Sequence, residues 1–175
     1  MARVLRTAFL TLAATLLLAS CTTLNDDRIP SMGVNVNLEN QGLWNSFGVS
    51  GYGQRQYFIL SDRLRVPVGF QYVYGSMTGY GGVLLISGFD PRTGDIGPLA
   101  FDLSCPVERL PDVRVEVDPD NFDAVCPVCG SHYNVVEQSG SPISGPAKSM
   151  KYALRPYRCY PSSQGGYLIT NPLDR

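Results

Sequence analysis

Proline and glycine interrupt this chain so often that a long helix has nowhere to form. Beyond residue 30 one or the other commonly recurs within eight to twelve residues, and short runs of β-branched and aromatic side chains lie between. Proline removes a backbone donor and glycine forfeits side-chain packing, so both end helices and mark turns. Short strands suit such spacing. The expected strands are 34–38, 56–60, 65–70, 82–89, 99–103, 113–117, 132–136, 152–160 and 167–170. Val113-Arg114-Val115-Glu116-Val117 alternates strictly, as a half-buried strand does, and Tyr72-Val73-Tyr74 alternates before a glycine loop. No segment matches an amphipathic helix. The reading is an all-β domain of antiparallel sheets, a sandwich or a barrel. Gly79-Tyr80-Gly81-Gly82 reads as a hairpin turn, because no helix follows whose N-terminus would hold a phosphate. Trp44 and the ten tyrosines read as core and sheet-face residues.

The first twenty residues stand apart from that pattern. Arg3 and Arg6 precede an apolar run, Ala8 to Leu18, which at about 11 residues is shorter than the roughly 20 a membrane-spanning helix needs. It fits the apolar stretch of a secretory signal. Leu18-Ala19-Ser20-Cys21 then resembles the bacterial lipobox, which implies cleavage before Cys21 and a diacylglycerol anchor on its thiol. Residues 1–20 are therefore expected to be a lipoprotein signal peptide, 21–31 a flexible tether and 32–175 one domain. Without Arg3 and Arg6 the mature chain carries 12 basic and 15 acidic side chains, a net charge of −3, and no basic patch interleaved with aromatics that would suggest nucleic acid. It has no second apolar run longer than about eight residues, so it is expected to lie on a membrane through its lipid, without spanning it. Thr22 does not resemble the aspartate that retains some lipoproteins at inner membranes, which points to an outer membrane, facing periplasm or cell surface.

Four cysteines remain after Cys21, and three of them fall within 25 residues: Cys105, Cys126 and Cys129, with Cys159 farther on. Cys105-Pro106-Val107-Glu108 and Cys126-Pro127-Val128-Cys129 look like one turn written twice. Each sets a ligand-bearing side chain three residues after a cysteine, and Cys-Pro-x-Cys is a knuckle that can turn both thiolates toward one ion. The candidate ligands are Cys105, Glu108, Cys126 and Cys129. Their sulfurs should converge, with Cys159 lying apart on a later strand.

A longer resemblance runs through the same residues. Cys126-Pro127-Val128-Cys129-Gly130-Ser131-His132-Tyr133, followed by Gly140, Gly145-Pro146-Ala147, Leu154 and Tyr157, is similar to the Rieske iron–sulfur domain. That family reads C-x-H, some twenty residues, C-x-x-H-G-S-x-Y, then G-P-A and an apolar strand. Leu99-Ala100-Phe101-Asp102-Leu103-Ser104-Cys105 matches the strand that delivers the first ligand loop, and the similarity covers 69–171. It implies a Rieske-like fold with a small ligand-loop subdomain near 104–133 and a [2Fe–2S] cluster held by two cysteines on one iron and two histidines on the other. Cys105 and Cys126 stand at the cysteine positions, and Val107 and Cys129 stand at the histidine positions. His132, the chain's one histidine, falls at a variable position. The resemblance also implies hydroxyl groups of Ser131 and Tyr133 hydrogen-bonded to sulfur, and a Pro146 loop that shields the centre from water.

Three occupants of the site follow. One is a [2Fe–2S] cluster on Cys105, Cys126, Cys129 and Glu108, with a potential below that of a two-histidine centre because thiolate donates more charge than imidazole. The second is zinc on the same four groups. The third is no metal, with an oxidised pair, Cys126–Cys129 or Cys105–Cys129. The implied function is a membrane-anchored Rieske-type electron-transfer lipoprotein serving a redox partner protein; the alternative is a structural or partner-binding lipoprotein that keeps the fold. No nucleophile–base pair or carboxylate dyad stands out, so no catalytic activity of its own is expected.

Overall fold

A computed structural model describes residues 23–62, 65–137 and 139–172; the expected signal peptide and Cys21 lie outside the described residues. The strands are β1 (Val34–Asn40), β2 (Arg55–Phe58), β3 (Met77–Thr78), β4 (Val83–Asp90), β5 (Asp95–Asp102), β6 (Glu116–Val117), β7 (Asp123–Val125), β8 (His132–Asn134), β9 (Ser141–Ser144), β10 (Pro156–Pro161) and β11 (Gly165–Thr170). Two short helices join them, α1 (Gln41–Phe47) and α2 (Gly145–Met150). Seven strands form one antiparallel sheet in the order β2-β4-β5-β10-β11-β1-β3. Its two edges approach where Leu60 N donates to Thr78 Oγ1 at 3.2 Å, so the sheet is a nearly closed barrel. A second antiparallel sheet, β6-β7-β8-β9, carries the cysteine-rich part of the chain.

The shared wall between the two sheets explains the most apolar strand. Val83 and Leu85 of β4 face the barrel interior with Val36, Leu38, Phe58 and Ile169, whereas Leu84 and Ile86 face the small sheet with Phe101, Val117, Tyr133 and Leu154. A strand buried on both faces reads as an unbroken apolar run, as Val83-Leu84-Leu85-Ile86 does. Strand β5 pairs with β4 along its whole length and runs straight on through Leu103 and Ser104 to Cys105.

The junction at that point is made by Asp102, which is fully buried. Its carboxylate accepts from Tyr80 N at 2.9 Å, Gly81 N at 3.1 Å, Ser104 N at 2.7 Å and Tyr157 Oη at 2.5 Å. Burial pushes this carboxyl upward, against the pull of those four donors. The glycine loop at 79–82 thus wraps a carboxyl group that belongs to the chain itself.

Several sequence expectations need correction. Residues 65–70 are not a strand: Phe70 N closes a turn on Pro67 O at 2.9 Å and Gly69 sits at φ 86°, while Val68 is fully exposed. Tyr72-Val73-Tyr74 is likewise unpaired, with Val73 and Tyr74 facing solvent. The ladder within 113–117 begins only at Glu116, because Val113 and Val115 bond back to Cys105 and Leu103 at the start of the cysteine loop. The strand expected over 152–160 begins only at Pro156, as β10. Both helices escaped the helical template because seven and six residues are too short to show a period. Asn40, whose Oδ1 caps α1 by accepting from Leu43 N, and Pro146 in the first turn of α2 are the local signals for them. Within the expected tether, Ile29 is fully buried and Asn25 bridges Tyr152, so 25–29 lies against the domain.

Replacing Asp102 with Ala leaves three backbone N–H groups and the Tyr157 hydroxyl without their acceptor. Unsatisfied buried donors cost about 1–3 kcal/mol apiece, and solvent will repair some, so about 3 kcal/mol in all is expected. Thermal unfolding should then move down by roughly 6–12 °C for a domain of this size. A shift below about 2 °C would show that the junction does not depend on this carboxylate.

Candidate metal centre

The Cys-Pro-Val repeat folds as one turn built twice. In each copy the fourth residue after the cysteine is left-handed, Arg109 at φ 57° and Gly130 at φ 65°. Its N–H closes on the cysteine carbonyl, Arg109 N to Cys105 O at 2.8 Å and Gly130 N to Cys126 O at 3.0 Å. Glycine takes this conformation freely, whereas a side chain costs about 1–2 kcal/mol there. Arg109 offsets that cost with a hydrogen bond from Nε to Arg28 O at 3.2 Å and one at its own carbonyl, which accepts from Tyr80 Oη at 3.0 Å. Ser104 Oγ donates to Leu110 O at 2.8 Å and ties the first turn to its own base.

These turns bring Cys105, Cys126 and Cys129 together, with all three sulfurs within 4.8 Å of one another. Cys105 Sγ and Cys129 Sγ are 3.7 Å apart, too far for the roughly 2.05 Å of a disulfide, and all three thiols are free. Cys105 and Cys126 are buried and Cys129 is half-buried. Cys159 lies apart on β10, where burial pushes its thiol up to about 12.

Hydroxyl groups and a helix start surround the sulfurs. Tyr133 is fully buried with Oη 3.4 Å from Cys105 Sγ; burial first, then the neighbouring sulfur, holds the phenol protonated far above its usual range. Ser131 Oγ accepts from Ala147 N at 3.0 Å and from the Cys129 thiol at 3.2 Å, and its own hydroxyl can donate to that sulfur once it is a thiolate. The contact depends on Gly145, at φ 73°, where an added Cβ would fall 2.7 Å from Ser131 Cα. Pro146 is exposed in the first turn of α2, between Gly145 and Ala147.

The two sulfurs of the Cys-Pro-Val-Cys turn differ in acidity. Burial pushes Cys126 up to about 12, only partly opposed by the N–H groups of Cys129 and Val128. Burial also raises Cys129, but hydrogen bonds from the Ser131 hydroxyl and N–H, then from Cys126 and Cys105, more than offset it and hold this thiol below the usual thiol range. Cys129 is the natural first thiolate.

Glu108 is not part of the converging group, which is three sulfurs and no carboxylate. His132 is outside it as well, its Nδ1 lying 3.6 Å from Asp123 on the neighbouring strand. Val107 packs against the apolar core of the small sheet. The Asp102 junction and the Arg28 carbonyl beneath Arg109 were not singled out from sequence; the glycine loop was the visible trace of the first, and nothing local marked the second. Compared with models of known families, with curated proteins and with solved structures, the chain matches none.

The acidity difference can be read by alkylation of the reduced, metal-free protein with iodoacetamide. Cys129 should react first, with a midpoint in pH below that of an ordinary thiol, while Cys126 stays nearly unmodified at pH 8. Equal modification of the two at pH 8 would contradict the assignment.

Proposed function

We propose that this protein is a membrane-anchored lipoprotein whose Rieske-like domain carries a thiolate metal centre, one thiophilic ion of the zinc class held by Cys105, Cys126 and Cys129. The observation that carries the reading is the sulfur spacing. A tetrahedral ion with bonds of about 2.3 Å to sulfur sets neighbouring sulfurs about 3.8 Å apart. Cys105 and Cys129 are 3.7 Å apart, and Cys126 lies within 4.8 Å of both. Sulfurs bound to opposite irons of a two-iron cluster stand farther apart than sulfurs on one ion. With three protein ligands a fourth position remains for water or for a donor from a partner. Such a centre orders the two loops and offers a binding point, which favours a structural or partner-binding role. Leu18-Ala19-Ser20-Cys21 supports the lipid anchor, with Thr22 favouring an outer membrane. No helix among the described residues is long and apolar enough to cross a membrane.

A second reading is favoured by the groups around the sulfurs. Donors such as Tyr133 and Ser131 tune the potential of iron–sulfur centres. They suit a [2Fe–2S] electron carrier, with Cys105 and Cys126 on one iron and Cys129 on the other. Val107 leaves that second iron a ligand short, because its side chain has no lone pair and Glu108 does not join the group.

Metal and sulfide analysis of anaerobically purified protein separates the readings. The single-ion reading predicts a colourless protein with one zinc-class ion per chain and no acid-labile sulfide, and loss of the ion in Cys129→Ser. A red-brown protein with two irons and two sulfides per chain would overturn it in favour of the electron carrier.

A further inference from the structure

The chain has only two lysines, Lys148 and Lys151, and both sit at the end of α2 where the N-terminal segment docks. Asn25 N donates to Lys151 O at 2.8 Å and Asn25 O accepts from Ala153 N at 2.9 Å, so the segment is strapped to the residues that follow the helix. Arg28 continues the strap, its guanidinium 4.5 Å above the Tyr152 ring and its carbonyl held by Arg109. Arg155 secures the next turn through Ile29 O at 2.8 Å and Asp27 at 3.4 Å. Arg28, Arg109, Lys148, Lys151 and Arg155 outnumber the strap's own Asp26 and Asp27, and Asp90, across the groove from Leu24 and Asp26, is paired with Arg92, on a mature chain whose net charge is −3. Among the described residues no carboxylate pairs with Arg28, Arg109, Lys148 or Lys151. Leu24 and Met150, about half exposed, are the apolar neighbours of the same basic groups.

We infer that this strap and the end of α2 form the face that lies against the membrane, with Lys148, Lys151, Arg28 and Arg109 contacting anionic phospholipid headgroups. The inference rests on the reading of Cys21 as the lipid-bearing residue. Cys21 is four residues before Asn25, so the anchor reaches at most about 14 Å from the strapped point. That reach is an upper bound, so the tether lets the face come within one Debye length of the lipid surface, about 8 Å at physiological salt, where its charges act. A tether this short also makes a weak patch sufficient, because the surface is present at high local concentration. The two acyl chains of a diacylglycerol anchor hold the protein at the bilayer by themselves, and basic side chains beside them decide which face turns toward an anionic surface. Because Arg109 belongs to the turn of Cys105, the metal-binding loops border the face turned to the bilayer.

The test uses the full mature protein purified with its acyl group. It is reconstituted into phosphatidylcholine vesicles with or without phosphatidylglycerol and labelled with a water-soluble amine-reactive ester. Mass spectrometry of the Lys148 and Lys151 peptides should show labelling reduced at least about five-fold on the anionic vesicles relative to the neutral ones. The protection should vanish in 1 M salt, where the Debye length falls to about 3 Å. Equal labelling on both compositions, in protein that floats with both, would overturn the inference while leaving the anchor intact, as would protection that survives 1 M salt. An N-terminal peptide without lipid, with flotation unchanged in Cys21→Ala, would instead overturn the anchor and the inference with it.

Discussion

A buried carboxylate, Asp102, joins the barrel to the sulfur-bearing loops. It ends β5, the strand that runs on into Cys105, and it gathers Tyr80 and Gly81 from one loop, Ser104 from the next and Tyr157 from β10. Cys105 is thus one residue beyond Ser104 and three beyond a carboxyl group held from three directions. A metal centre built on loops requires this kind of support, because ligand sulfurs must stand within a few tenths of an ångström of their bonding positions before an ion arrives. On the far side, Ala147 N holds Ser131 and Tyr133 packs beneath Cys105, so the second turn is fixed by the small sheet and by α2.

Burial and hydrogen bonding pull against each other at the sulfurs. Excluding water favours neutral thiols, as the upward displacement of Cys126 shows, while directed hydroxyl and amide donors favour thiolate at Cys129. A bound cation removes the conflict by neutralising all three thiolates at once. A site of this composition has a reason to hold metal, and an isolated disulfide would leave the third sulfur buried beside it.

Much of this was legible in the chain because the signals were local. The unbroken Val83-Leu84-Leu85-Ile86 run marks a strand buried on both faces, and the doubled Cys-Pro-Val marks two equivalent turns that face each other. The failures share a cause as well. Residues 65–70 have the side chains of a strand, but Pro67 and Gly69 turn the backbone out of any ladder. Glu108 has the spacing of Cys129, but repeated spacing fixes the backbone turn alone, and the group that converges is the three sulfurs. The Arg28–Arg109 contact joins residues 81 apart through a carbonyl, and no side-chain pattern records a bond of that kind.

X-ray absorption at the edge of the bound metal measures the ligand shell of this centre itself. One ion on Cys105, Cys126 and Cys129 predicts a shell of three sulfurs at about 2.3 Å, completed by one lighter donor, with no second metal nearby. An iron edge showing a neighbouring iron and bridging sulfide would contradict the single-ion centre.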